Sequence, residues 1–324
     1  MIARRTLLGS ALALPLAAPA LAQAPWPNRS VRVIVPWPPG GSTDVLCRLL
    51  AEQMQARLGQ SFVLENRPGA GGNIGADALA KSTPDGYTMA PLTLGAWHIN
   101  SFLYSRLPYD PQRDFQPISM HWELPNVVVV SASHNPATTL QEFIAWSKAQ
   151  RQGISYGSPG VGTTAHLSGA MFTSRLGLDG THVPFRGAAQ IIPAMLSGDL
   201  NVAIDNLASY IPVIQDGRVR ALAVTGAERW PTLPNVPTMA EAGVPDFVVT
   251  SWCAMAFPAG VPRPILDRAS AAIRVIKAEA AMQDRFLRTG ARAVSSTPEA
   301  VTERVARERP MWQEVVRISG AKLD

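Results

Sequence analysis

The sequence predicts an α/β fold of two lobes with a cleft between them, and three observations support this. Strand and helix signals alternate along the chain after residue 22, which is typical of sheets whose strands are joined by crossover helices. A strand followed by a glycine-rich loop and a helix occurs in two separate α/β units, after Val35 and after Tyr156. A long extended segment, Phe247–Phe257, has the length to cross from one unit to the other.

The first unit begins with a β-branched strand at Val31–Val35 and continues with a helix that runs through Leu58. The apolar residues of this helix recur with a period of 3.6, which predicts one buried face. A second strand at Phe62–Glu65, a helix of small residues ending at Lys81 and a third strand at Tyr87–Leu92 follow. This βαβαβ order predicts parallel strands.

The second unit repeats the scheme. An apolar strand at Val127–Val130 is followed by a capping box, Thr139-Leu140-Gln141-Glu142, that begins a helix. Further strands are predicted at Ile154–Tyr156, His182–Phe185, Leu200–Ile204 and Val219–Thr225, and helices at Thr163–Leu176 and Ala188–Leu196. Three helices end the chain, at Pro264–Ala278, Met282–Leu287 and Pro298–Ile318. We expect them to return to the first lobe, so that lobe I comprises residues 23–126 and 249–324 and lobe II residues 127–248.

The first 22 residues have the three parts of a cleavable export signal. Arg4 and Arg5 precede an apolar run at Leu7–Leu21, and Ala20-Leu21-Ala22 provides small residues at the cleavage site. Prolines within the run argue against a membrane anchor, which needs about 20 uninterrupted apolar residues. The paired arginines fit either general or twin-arginine export. We therefore expect a periplasmic protein that is cleaved near Ala22.

Composition excludes several classes of function. The formal charge is +5, but the basic residues are scattered singly and lack interleaved aromatic residues, so nucleic-acid binding is not expected. The five histidines and two cysteines lack the spacing of a metal site, and no cofactor is expected. Cys47 and Cys253 could form a disulfide or remain as buried thiols, and the sequence leaves this open.

Two loops are candidates for ligand binding. The first is Trp37-Pro38-Pro39-Gly40-Gly41-Ser42-Thr43-Asp44, and the second is Tyr156-Gly157-Ser158-Pro159-Gly160-Val161-Gly162-Thr163-Thr164. Each lies between the carboxyl end of a strand and the start of a helix, where free backbone N–H groups and the helix dipole favour an anion. The alternative is that the glycines only form turns and the hydroxyls only cap helices. No lysine accompanies either loop, which favours a carboxylate.

Three further residues have two interpretations each. His166 follows the second loop and could donate to a ligand or hold the loop in place. Asp205 ends an apolar strand and could contact a ligand amine or hydroxyl, or cap the next helix. Trp37 could be a wall of the ligand site or part of the packing between lobes.

Motifs of catalysis and nucleotide binding are incomplete, so no catalytic residue is expected. Gly157 and Gly162 have the spacing of a phosphate-binding loop, but Thr163 replaces the required lysine. The G-x-S-x-G match around Ser155 places the serine before the turn, and no histidine follows in the order that a hydrolase requires.

The chain resembles the Bug, or TctC-like, receptors of the tripartite tricarboxylate transporter systems. The matching stretches are VPWPPGGSTD at 35–44, ENRPGAGGNIGA at 65–76, PDGYTM at 84–89, YGSPGVGTTAHL at 156–167, HVPFRG at 182–187, LPNVPTMAEAG at 233–243 and FPAGVP at 257–262. Together they span nearly the whole chain after the leader.

This resemblance implies a type II periplasmic-binding-protein fold whose lobes close on one small organic acid, held by two loops through backbone groups and ordered waters. It carries the ligand site over to residues 38–44 and 158–166 and, less directly, to Asp205. It also implies membrane permease subunits as partners. A sensor that signals ligand occupancy to a sensor kinase is the alternative to a transport receptor, and an α/β hydrolase is a third reading.

Overall fold

A computed structural model describes residues 26–319 and residue 321. The predicted leader at 1–22 lies outside the described residues, as do the first residues of predicted lobe I. Within the described part, no helix combines the length and apolar character needed to cross a membrane.

Ten strands form one continuous hydrogen-bonded sheet in the described residues. They are β1 (Val31–Val35), β2 (Phe62–Asn66), β3 (Thr88–Thr93), β4 (Phe115–Ser131), β5 (Ile154–Ser158), β6 (Gly180–Pro184), β7 (Val202–Asn206), β8 (Val219–Val224), β9 (Thr250–Pro258) and β10 (Arg292–Ala293). The strand order is β2-β1-β3-β9-β4-β7-β5-β6, with β8 and β10 also paired to β4. As the βαβ pattern predicts, β1 is parallel to β2 and β3, and β5 is parallel to β6 and β7.

Helices cover both faces of this sheet. They are α1 (Ser42–Leu58), α2 (Asn73–Ala80), α3 (Asn100–Leu103), α4 (Leu140–Lys148), α5 (Thr164–Leu176), α6 (Ala188–Leu196), α7 (Ile211–Gln215), α8 (Arg263–Ala278), α9 (Ala280–Thr289) and α10 (Pro298–Ser319). The capping box predicted for α4 is present, because Thr139 accepts from the Glu142 amide and the Glu142 carboxylate accepts from Thr139 N–H.

The 17-residue strand β4 joins two halves of the sheet. Residues 115–125 pair with β9, and residues 126–131 pair with β7 on one edge and β8 on the other. The first half therefore contains β2, β1, β3, β9, β10 and the beginning of β4. The second half contains the end of β4 with β7, β8, β5 and β6.

Both faces of each half are buried in apolar clusters. In β4, Val128 and Val130 belong to one cluster while Val127 and Val129 belong to the cluster on the opposite face. Because successive strand residues point to opposite faces, an uninterrupted apolar run is what a strand covered on both sides requires.

Several parts of the fold differ from the sequence-based expectation, including the short helix α7, which was not predicted. The predicted strand Val127–Val130 is only the end of β4. Its first part was not predicted because Pro117 and Pro125 interrupt it and its register with β9 shifts twice. The short strand β10, and the π-helical turn at Gly95–Ile99 that leads into α3, were also not predicted.

Candidate ligand-binding cleft

A cleft of about 600 Å³, open to solvent at its mouth, lies between the two halves of the sheet. Its walls come largely from loops that follow the carboxyl ends of strands, where open α/β sheets bind ligands. The lining residues are Trp37, Pro38, Pro39, Gly41, Ser42, Thr43, Thr93, Leu94, Gly95, Pro159, Thr163, Thr164, Gly187, Ala188, Ala189, Asp205, Asn206, Ser209 and Ser251.

The first wall is the loop between β1 and α1. The amide of Ser42, at the start of α1, donates to the hydroxyl of Ser209 at 3.1 Å. The amides of Thr43 and Asp44 have no hydrogen-bond partner among the described residues. The N-terminus of α1 therefore retains donors and a partial positive charge.

Asp44 does not line the cleft but holds this loop from behind. Its carboxylate accepts from the amide of Gly40 at 3.0 Å, from the guanidinium of Arg48 at 3.0 Å and from Asn66 at 2.9 Å. The same Asn66 amide group donates to the Trp37 carbonyl. Burial alone would raise the pKa of Asp44, but these hydrogen bonds outweigh it and leave the pKa below its ordinary value. The amide of Gly40 is thereby occupied, and Gly40 does not line the cleft either.

The second wall is the loop between β5 and α5. Thr163 is the N-cap of α5: its hydroxyl accepts from the His166 amide at 3.1 Å and donates to the Gly160 carbonyl at 2.8 Å. The amides of Thr164 and Ala165 have no partner among the described residues. Thr163 and Thr164 line the cleft, so a second helix N-terminus meets it.

Ser158 and His166 lie behind this loop rather than in the cleft. The Ser158 hydroxyl is 2.7 Å from Nε2 of His182, and the His166 and His182 rings pack against each other in a tilted arrangement with centroids 4.2 Å apart. Burial lowers the pKa of His166 to about 4 and that of His182 to about 3, so both rings are neutral near pH 7. This geometry matches the interpretation that His166 holds the loop in place.

Gly162 is also outside the lining, and the reason is its backbone. Its φ is +85°, and a Cβ there would lie 2.3 Å from Oδ1 of Asn100. Gly162 thus permits a left-handed turn and a close approach of the second loop to the other half of the sheet.

A third helix N-terminus, that of α6, meets the cleft and was missed by sequence reasoning. Gly187 is its N-cap and has no side chain to cap the helix, and Ala188 and Ala189 line the cleft. Their amides have no partner among the described residues. The signal was available, since Pro184 to Ala189 repeats the pattern of strand end, glycine and helix start.

The two halves touch across the cleft at several points. The hydroxyls of Ser42 and Ser209 are 2.6 Å apart. A Cβ on Gly187 would lie 3.1 Å from Cγ of Pro38, and one on Gly71 would lie 2.5 Å from the Val161 carbonyl oxygen. Loops from the two halves are therefore in direct contact around the lined volume.

Asp205 is the penultimate residue of β7 and lines the cleft almost fully buried, at 2% exposure. Its Oδ1 accepts from the Asn206 amide at 2.7 Å and its Oδ2 from the Tyr210 hydroxyl at 3.3 Å. Burial raises the pKa of Asp205 to about 7 against the opposing effect of these two hydrogen bonds. Among the described lining residues, Asp205 has the only carboxyl group, and none is a lysine, arginine or histidine.

The structure thus brings nine of the fourteen predicted site residues to one cleft. Those that line it are Trp37, Pro38, Pro39, Gly41, Ser42, Thr43, Thr163, Thr164 and Asp205, and those that support it from outside are Gly40, Asp44, Ser158, Gly162 and His166. Trp37 both lines the cleft and packs against Gly72 of the same half.

The other residues considered for catalysis, disulfide formation or metal binding form no such site in the described residues. The Ser155 hydroxyl lies within β5 and bonds to Asn201, which is not the strand-to-helix turn that a hydrolase nucleophile needs. Cys47 and Cys253 are buried free thiols. No cluster of three or more potential metal ligands occurs in the part of the chain that the structure describes.

Comparison with known proteins decides the family. The family described as "Tripartite tricarboxylate transporter family receptor" matches residues 46–317. The chain belongs to this family. Members of this family are receptors and not enzymes, which rules out the hypothesis that this chain is an α/β hydrolase.

Solved structures of similar proteins confirm the predicted two-lobed fold. Rpa4515 of R. palustris, solved with adipate, is 35% identical with a TM-score of 0.89, covering 92% of this chain and all of that one. The periplasmic binding protein BugD is 32% identical with a TM-score of 0.87, covering 92% of this chain and 99% of that one. MatC (Rpa3494) from Rhodopseudomonas palustris, with bound malate, is 31% identical with a TM-score of 0.82, covering 90% of this chain and all of that one.

Proposed function

We propose that this chain is an exported receptor that captures a small organic carboxylate and delivers it to the membrane subunits of a tripartite transporter. The observation that carries the proposal is the convergence of three helix N-termini, from α1, α5 and α6, on one cleft of a receptor-family fold.

Electrostatics favour an anion in this cleft. Each helix N-terminus carries about half a positive charge, and its free amides donate hydrogen bonds to anionic oxygens. In a cleft that excludes water these charge-assisted hydrogen bonds are stronger than in solution. The similar proteins Rpa4515 and MatC, solved with adipate and malate, support a carboxylate as the anion.

Recognition by backbone amides suits a receptor that must also release its ligand. A cationic side chain would add a strong, long-range attraction, whereas amides at helix ends act over short distances. Opening the cleft would therefore be enough to weaken the hold on the ligand. We propose that opening separates lobe I, residues 23–126 and 249–324, from lobe II, residues 127–248. The change of pairing partners within β4 between residues 125 and 126 supports a hinge there.

The proposed location is the periplasm. Support comes from the leader-like sequence of residues 1–22 and from the likeness to the periplasmic binding protein BugD. A receptor in the periplasm binds its ligand before the ligand reaches the membrane. The membrane permease is the partner that follows from the family's transport system.

Thermal shift measurements on the mature protein test the proposal. The panel contains adipate, malate, succinate, hexanoate, 6-aminohexanoate and aromatic monocarboxylates, with nucleotides as negative controls. We expect at least one carboxylate to raise the melting temperature in a concentration-dependent way, since a ligand that binds only the folded state stabilises it. No shift with any carboxylate would refute the proposal.

A charge placed in the cleft tests the site. Ala189→Glu puts a carboxylate at the exposed, cleft-lining start of α6, where an acidic residue is compatible with the helix dipole. We expect it to weaken carboxylate binding at least ~10-fold, because two like charges near the same helix end repel. Ala189→Gln separates size from charge. Gln190→Glu, one residue further along and outside the lining, is the matched control and should bind as the native protein does.

A further inference from the structure

Asp205 is out of place in a cleft that binds an anion. The lining contains three helix N-termini, which attract negative charge, and a single carboxyl group among the described lining residues. An ionised Asp205 would cancel part of the field that those helix ends create. The side chain is nevertheless 2% exposed and lies in the wall itself.

Among the described residues, no cationic side chain is paired with this carboxyl group. The elements packed against β7 are β4, β5, α5 and α6, with α1 against the turn that follows β7. Their titratable or charged side chains are His121 and Glu123 on β4, Tyr156 on β5, His166 and Arg175 on α5, and Asp44, Cys47, Arg48, Glu52 and Arg57 on α1.

The cations of that set are committed elsewhere or neutral. Arg48 is paired with Asp44, Arg57 is paired with Glu279, and Arg175 donates to the Asp246 carbonyl. Burial lowers the pKa of His166 to about 4 and that of His121 well below its ordinary value. The direct partners of Asp205 are the amide of Asn206 and the hydroxyl of Tyr210, both uncharged.

We propose that Asp205 binds the ligand as a protonated carboxylic acid, donating a hydrogen bond to a second carboxyl group, so that the cleft selects dicarboxylates and takes up one proton with them. The inference rests on the proposed function. Protonation removes the negative charge that would repel a ligand carboxylate and changes Asp205 from an acceptor into a donor. Two carboxyl groups at hydrogen-bond distance share one proton rather than ionise together.

Asp205 is already partly protonated in the ligand-free protein. Burial raises the pKa of Asp205 to about 7, so the acid form is populated at neutral pH before a ligand arrives. An anionic oxygen nearby would raise the pKa further. Tyr210 can remain hydrogen-bonded in either state, because its hydroxyl both donates and accepts.

The experiment is calorimetric titration of the mature protein with three ligands of matched length: adipate, hexanoate and 6-aminohexanoate. Malate and succinate serve as shorter dicarboxylates. Titrations are run between pH 6.5 and 8.5, in phosphate and in Tris, because the difference in measured heat between the two buffers gives the number of protons taken up.

We expect a dicarboxylate to bind at least ~10-fold more tightly than hexanoate at pH 6.5. Its affinity should fall about 25-fold between pH 6.5 and 8.5, with close to one proton taken up at pH 8. In Asp205→Asn, whose amide donates at every pH, dicarboxylate affinity should no longer depend on pH and the proton uptake should vanish. Both histidines near the second loop are neutral over this range, so they do not add to the slope.

Other outcomes overturn the inference. If 6-aminohexanoate binds best and Asp205→Asn abolishes its binding, Asp205 is an ionised partner of an ammonium group. Dicarboxylate binding without pH dependence or proton uptake removes the donor role. Binding of monocarboxylates alone also refutes the inference, and in all three cases the proposed receptor function stands. If no carboxylate binds at any pH, the proposed function itself fails.

Discussion

Replacing Asp205 by asparagine should stabilise the ligand-free protein, and increasingly so as the pH rises. Asp205 is 2% exposed, and burial raises the pKa of its carboxyl group to about 7. Asparagine has the same shape, keeps an oxygen for the Asn206 amide and places an NH₂ group next to the Tyr210 hydroxyl, which can accept from it. The substitution therefore removes the buried charge while it retains the hydrogen bonds.

The size of the effect follows from the pKa shift. An acid whose folded-state pKa lies above its unfolded value contributes full stability below the unfolded pKa and loses it as the pH rises to the folded one. The ordinary value is 3.8 and the folded value about 7. The native protein should therefore lose stability relative to the variant by about 1 kcal/mol per pH unit between pH 5 and 7. The loss that develops between pH 5 and pH 8 should be about 2.5 kcal/mol, with little further change above pH 8.

Urea denaturation at pH 5, 6, 7, 8 and 9 measures this difference in the free energy of unfolding. Asp44→Asn is the matched control, because it makes the same chemical change in a carboxylate whose pKa is lowered. Asp44 is ionised in both folded and unfolded states throughout this range. Its variant should be less stable than the native protein by a constant amount. A constant difference for Asp205→Asn as well, or a growing loss of stability, would refute the assignment of a buried, titrating carboxyl group to the cleft.

Two further predictions concern the backbone and the thiols. Gly162→Ala should lower the free energy of unfolding by about 2–3 kcal/mol, because its φ is +85° and its Cβ would lie 2.3 Å from Asn100 Oδ1. The control is Gly177→Ala, with φ of +61° and open space around it, which should cost only about 1 kcal/mol in the same urea assay. Equal losses for the two variants would contradict the close contact at Gly162. Burial raises the pKa of Cys47 to about 12 and that of Cys253 well above its ordinary value. A colorimetric thiol reagent should therefore react with neither thiol in the folded protein and with both after unfolding, and reaction without unfolding would contradict the buried placement.

The predicted elements of the first half are close to those in the structure because each is encoded locally. The strand Val31–Val35 and the helix ending at Leu58 have the bounds of β1 and α1 at those ends. Their periodicity and their glycine and proline boundaries act within a few residues. The beginning of β4 was different, because two prolines and two register shifts hide a strand whose hydrogen bonds depend on β9, more than 120 residues away.

The candidate site also has a part that could be predicted from the sequence and a part that could not. Loops that follow a strand with glycines and precede a helix were recognisable in the sequence, and both predicted loops reach the cleft. Which residues of a loop face inward was not recognisable, because that depends on partners elsewhere in the chain. Asp44 turns away to bond with Gly40, Arg48 and Asn66, and the tilted pair of His166 and His182 rings lies behind the second loop.

The sequence by itself determined the α/β class, the family resemblance and the two glycine-rich helix starts, because these are properties of short segments. Only the tertiary structure decided that a third helix N-terminus, that of α6, meets the other two, and that Asp205 is the sole acid of the described lining. Both facts depend on the fold bringing the ends of β1, β5, β6 and β7, which are distant in the chain, to one cleft. The electrostatic character of the cleft, with three positive helix ends around one buried carboxyl group, is therefore a product of the fold.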